Sequence, residues 1–149
     1  MIVSYFVAPL ICPNCGKVSP EDTSTNMQTH IVTDFNINIL RVGDKLNIGI
    51  EEIEDSYIKI KAPEPNSSIV ILETWDCPYD STENWAKIVI EDWSIKEIVA
   101  VELSKPLLEQ AHFISDFIVE WIKSRTGTSL FMEGALISNF SEVLRGQLK

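Results

Sequence analysis

The chain has 149 residues, with 22 Asp+Glu against 12 Lys+Arg and a formal net charge of -10. That length supports one domain, 1–149, with an ordinary core and excludes two large ones; 45% apolar and 23% charged residues exclude disorder for most of the chain. The acidic excess argues against direct nucleic-acid binding, because gripping the phosphate backbone requires clustered lysine and arginine.

The first twelve residues, MIVSYFVAPLIC, carry no charge. They lack the basic start and small-residue cleavage site of a signal peptide, and they fall short of the roughly 20 apolar residues that span a bilayer. We therefore expect a cytoplasmic protein with no membrane association. In a reducing compartment three cysteines, Cys12, Cys15 and Cys77, point to metal or redox chemistry before disulfides.

Ile2 to Val7 is β-branched and aromatic and predicts a strand that runs into Pro9 and the first cysteine pair. Val18 to Thr29 is rich in hydroxyl and amide side chains and predicts a long surface loop. Ile31 to Leu40 alternates apolar and polar residues and predicts a half-buried strand. Further strands are expected at Lys45 to Ile50, Tyr57 to Lys61, Ile69 to Trp75, Trp85 to Glu91 and Ser94 to Leu103, forming an antiparallel sheet.

From Ser104 the period becomes helical. Ser104 suits an N-cap, Pro106 the first turn and Gly127 the end, while Leu107, Ala111, Ile114, Ile118 and Trp121 recur at spacings of four and three. These predict one long helix. Leu136, Phe140, Val143, Leu144 and Leu148 predict a short second helix near the C-terminus. The expected fold class is α+β: a strand-rich body carrying two cysteine knuckles, then helices covering one face.

The sharpest local signal is Cys12-Pro13-Asn14-Cys15-Gly16. Two thiolates two residues apart can bind one tetrahedral ion from a single turn, and Gly16 can adopt the positive φ that turns backbone N–H groups toward sulfur. A second, altered copy stands at Cys77-Pro78-Tyr79-Asp80-Ser81, with Asp80 in place of the last cysteine. The pair resembles the knuckles of zinc ribbons and rubredoxin-like proteins. That resemblance implies a structural zinc held by Cys12, Cys15 and Cys77, with Asp80 as the fourth ligand ahead of His30 or His112. The alternatives are a ribbon that has lost its metal, its thiols acting as small buried hydrophobes, or a thiol-redox turn of thioredoxin type. Gly16, Ser19 and Pro20 stand against the last, because they fall where that fold needs an uninterrupted helix.

Phosphate loop, nucleophile elbow and HExxH motif are all missing from the sequence, so we expect a protein that is not an enzyme. The acidity is concentrated: residues 62–103 hold nine acids and two bases, whereas 104–149 are balanced. Glu83, Glu91 and Asp92 fall in the acidic block, with Trp75, Tyr79, Trp85 and Trp93 nearby. Carboxylates interleaved with aromatic rings suit an interface for a basic partner, with Tyr79, Trp85 and Trp93 as the candidate anchors; the alternative is that these rings pack under the strands as core, as at least two of the four are expected to. In size, charge and aromatic content the chain is similar to small acidic immunity proteins of bacterial toxin systems. That likeness implies a binding protein that blocks a cationic toxin domain; the alternative is a zinc-ribbon accessory or regulatory protein.

Overall fold

The computed structural model describes residues 4–31, 39–46, 48–126, 131–132, 135–136 and 140–147. Its elements mix strands and helices in an α+β arrangement. Three strands form its backbone: β5 (Ile69–Asp76), β6 (Glu83–Glu91) and β7 (Ser94–Val101), joined as consecutive antiparallel hairpins. Their alternation is two-sided. Ile69, Ile71 and Trp75 of β5 and Ile88 and Ile90 of β6 enter one buried cluster, while Leu72 and Trp85 enter a second. Successive side chains of a strand point to opposite faces, so the sheet separates two cores.

The first core is covered by N-terminal pieces: β1 (Ser4–Phe6), β2 (Gln28–Thr29) and β3 (Ile39–Leu40), with Phe6, Leu10, Met27 and Leu40 fully buried. β1 pairs antiparallel with β2 and parallel with β3, so the expected all-antiparallel pattern does not hold. Ile2 and Val3, and residues 32–38 of the predicted alternating strand, lie outside the described residues. Val18 to Thr29 is largely exposed, as expected of a surface loop, but it is anchored from within. Ser19, Thr25, Met27 and Thr29 are buried, a 3-10 turn spans Thr23–Thr25, and Ser19 Oγ accepts the Leu10 N–H at 2.9 Å. The Ser19 and Thr29 hydroxyls accept backbone N–H groups, of Leu10 and Ile31, that water cannot reach.

Lys45 to Ile50 also departs from expectation. Asn47 lies outside the described residues; among the others only Lys45 forms a β-bridge, to Ser94, and the chain then enters helix α1 (Ile50–Ser56). Glu52 reaches back to accept the Gly49 N–H at 2.8 Å, and Glu51 and Glu52 place negative charge in the first turn, where the helix dipole favours it. Beyond it, β4 is confined to Ile58–Lys59.

The predicted long helix is broken. α2 (Lys105–Gln110) is capped by Ser104, whose Oγ accepts the Leu107 N–H at 3.3 Å, and it ends at the extended Ala111. Phe113–Ile114 then forms β8, inserted between β4 and β5 and parallel to β5. His112 fixes the insertion: its N–H donates to Val70 O at 2.9 Å, and its Nδ1 accepts the Val70 N–H at 3.0 Å. α3 (Ile118–Thr126) resumes after a turn in which Ser115 Oγ accepts the Phe117 N–H. Leu107, Leu108, Ala111, Ile114, Ile118 and Ile122 remain buried in the second core, so the helical spacing survives although the helix does not.

A short ribbon of β9 (Phe131–Met132) and β10 (Ala135–Leu136) precedes α4 (Phe140–Gln147), which buries Leu144 in the same core. Leu136 thus precedes the C-terminal helix, and Leu148, like Gly127 at the expected end of the long helix, lies outside the described residues. Among the described residues, no helix is long and apolar enough to cross a membrane.

Candidate metal centre

The two knuckles are built alike. Gly16 N–H returns to Cys12 O and Ser81 N–H to Cys77 O, both at 2.9 Å. Cys12 N–H donates to Lys17 O at 3.0 Å, and Cys77 N–H to Thr82 O at 2.9 Å. The residues flanking each turn are β-paired, Ile11 with Val18 and Asp76 with Glu83. Each turn needs a left-handed residue, supplied by Gly16 at φ 76° and by Ser81 at φ 63°. Serine accepts that conformation at a cost of roughly 1 kcal/mol that glycine avoids.

The hairpins bring together the four predicted ligands, although 61 residues separate Cys15 from Cys77. One donor atom from each of Cys12, Cys15, Cys77 and Asp80 lies within 4.8 Å of all the others. Cys15 Sγ is 3.6 Å from Cys77 Sγ, and Cys12 Sγ is 3.6 Å from Asp80 Oδ2. A tetrahedral ion with metal–sulfur and metal–oxygen bonds of about 2.3 and 2.0 Å needs S···S and S···O separations of about 3.8 and 3.5 Å. These two separations fit. His30 and His112 stand outside the cluster.

Asp80 is oriented by its neighbours. Oδ1 accepts the Thr82 N–H at 3.0 Å and the Thr82 hydroxyl at 2.7 Å, and Oδ2 accepts the Asn14 amide at 2.9 Å. The Asn14 and Thr82 bonds hold its carboxyl well below the usual carboxylate range, so it is an anion. A carboxylate offers about four lone-pair sites, and these bonds leave one for an ion. Burial pushes the Cys12 thiol up, but hydrogen bonds from Thr82 and from the N–H groups of Cys15 and Asn14 outweigh it and bring it down to about 7. Burial pushes Cys77 up to about 11, reinforced by the Asp80 and Cys15 side chains. Asn84 adds an amide 3.9 Å from Cys12 Sγ.

Asn14, Thr82 and Asn84 escaped the sequence reading. Of the three, only Thr82 carried a local signal: Asp80 two residues before a threonine is a common side-chain-to-backbone turn. Three thiols and a carboxylate in one cluster, backed by amide and hydroxyl donors, can hold a metal ion.

The surface candidates do not form one patch. Tyr79 is 51% exposed at the knuckle end, with Lys17 Nζ 5.1 Å from its ring centroid, and Glu83 is exposed beside it in the chain. Glu91, Asp92 and Trp93 lie at the opposite end of β6, about 26 Å away for a nine-residue strand. Trp85 is 4% exposed and meets Trp121 edge-on at 6.2 Å, so it is a core ring and offers no surface anchor. Trp75 is also core, its indole N–H donating to Trp85 O. Compared with known proteins, the chain matches no family model, no curated protein and no solved structure.

Proposed function

We propose that the chain is a non-enzymatic binding protein in which a structural zinc ion, held by Cys12, Cys15, Cys77 and Asp80, clamps the two knuckle hairpins together. The observation that carries this reading is the convergence of four donors within 4.8 Å from two hairpins distant in sequence. Three thiolates favour zinc over hard cations, and zinc accepts a carboxylate oxygen as its fourth donor. Four protein donors, with Cys12 and Cys77 buried, leave no position for a reactive water, which is the pattern of a structural site. The asparagine and threonine donors around the ligands would hold their orientation as outer-shell groups do.

The partner best matched to a net charge of -10 is a basic protein, and a bacterial toxin domain blocked by occlusion is one of that kind. Elemental analysis and native mass spectrometry of untagged protein test the metal. We expect one zinc per chain, a melting temperature that falls in chelator, and loss of both properties in Cys12→Ser. Metal-free protein whose melting is unchanged by zinc or chelator would reject the clamp.

A further inference from the structure

At the end of β6 remote from the knuckles, the hairpin turns through Asp92 and Trp93, both left-handed with φ 50° and 58°. A two-residue turn with both positions left-handed ordinarily places glycine second. Here that position carries a tryptophan, half-buried and packed against the first core. Beside it lies a groove of about 400 Å³. Ile69, Ile90 and Trp93 supply apolar lining, and Glu64, Glu91 and Asp92 contribute carboxylates. No lysine or arginine among the described residues lines it. Among the described residues none of the three acids has an ion-pair partner, since the ion pairs there join Glu54 to Lys59 and Glu97 to Lys87. Glu91 accepts one weak bond, from Ser68 Oγ at 3.4 Å.

We propose that this groove receives an arginine side chain presented by a basic partner protein. The occupant follows from complementarity. A guanidinium stacks on an indole face and pairs with carboxylates through a planar fork of donors, while its three-carbon stem can lie along the isoleucines. The volume is at the lower end of ordinary ligand pockets and suits one long side chain with its flanking backbone. The inference rests on the protein-binding role proposed above and assigns it a place and a chemistry; it does not depend on the metal.

The test uses N-acetylated tetra-arginine amide at low salt, followed by the indole and backbone N–H resonances of the full chain, with tetra-glutamate as control. We expect saturable shifts centred on Trp93, Glu91 and Glu64. The affinity should fall roughly tenfold in the double variant Glu91→Gln, Asp92→Asn, as for the loss of two partly screened charge pairs. It should be lost in Trp93→Gly and unchanged in Glu83→Gln. Trp93→Gly relaxes the turn, so a folded variant that no longer binds separates recognition from stability. The surface double variant supplies the same evidence if the turn variant fails to fold. Undiminished binding in these variants, or equal shifts with tetra-glutamate, would overturn the proposal. Shifts confined to Tyr79 and Glu83 would overturn it while leaving the protein-binding role standing. A chain that holds no zinc yet binds tetra-arginine at Trp93 would support the groove and reject the clamp.

Discussion

Glu73 lies on β5 between Ile71 and Trp75, on the strand face that enters the first core, and it is only 4% exposed. Its Oε1 accepts the Thr74 N–H at 2.9 Å, and the Tyr57 and Ser115 hydroxyls also favour its anion. Burial outweighs them and raises the carboxyl from 4.5 to about 7. The folded state therefore holds this proton more tightly than the unfolded chain. The stability due to the neutral acid is fully present below pH 4.5 and is lost as pH rises through about 7. At about 1.4 kcal/mol per pH unit, the loss on going to pH 9 is about 3 kcal/mol. Glu73→Gln keeps the shape and removes the titration. Urea midpoints of both proteins, measured from pH 4 to pH 9 at fixed zinc, should diverge across this window. The glutamine variant should be the less pH-sensitive, and above pH 8 it should be the more stable by about 2 to 3 kcal/mol, allowing for an imperfect amide hydrogen bond. Parallel curves would show that the carboxylate is solvated or fully paired in the folded protein, and the burial argument would fail.

Three further outcomes are expected. Asp80→Asn should weaken zinc binding by at least roughly tenfold, as removal of the anionic oxygen donor requires, whereas Asp80→Cys should retain the ion and, with cobalt in its place, show stronger sulfur-to-metal charge-transfer absorption; equal affinity for parent and Asp80→Asn would remove Asp80 from the ligand set. Phe113→Ala should cost about 3 to 5 kcal/mol in denaturant unfolding, because the ring is fully buried where β8 joins β4 to β5. A cost below about 1 kcal/mol would restore the continuous helix, in which Phe113 falls off the apolar stripe. Ser104→Ala should destabilise the chain by about 1 kcal/mol through loss of the cap on α2, measured in the same way.

The hairpins β5 to β7 were legible because each strand is a run rich in β-branched and aromatic residues, set off by prolines, a cysteine turn or acidic residues. The knuckles were legible because spacing inside a five-residue turn is a local property. Their closure was suggested only because the second turn repeats the first. Helix α1 was hidden by its length: seven residues with one buried position, Ile53, define no period. The break at Ala111 was hidden because the same apolar positions are buried whether the chain runs as one helix or as helix, strand and helix. What separates those cases is a gap beside β5 that Phe113 and Ile114 fill, and a gap between strands is a tertiary fact. Ser115 and Asp116, a usual helix start, were the overlooked local signal. The Trp93 groove had no local signal, since Glu64 meets the hairpin turn only after folding.

The separation of the two knuckles along the chain also has a consequence in time. With 61 residues between Cys15 and Cys77, a ribosome adding about 5 to 20 residues per second needs roughly 3 to 12 s to pass from one to the other. During that interval the first pair of thiols exists without its complement. Under the proposed clamp it could hold an ion only as a bidentate half-site, open to exchange and to oxidation, until the hairpin of β5 and β6 emerges and can complete the coordination sphere. The proposed clamp between the N-terminal strands and the central sheet would then also be an order of assembly, in which metal retention would report that the second hairpin has folded.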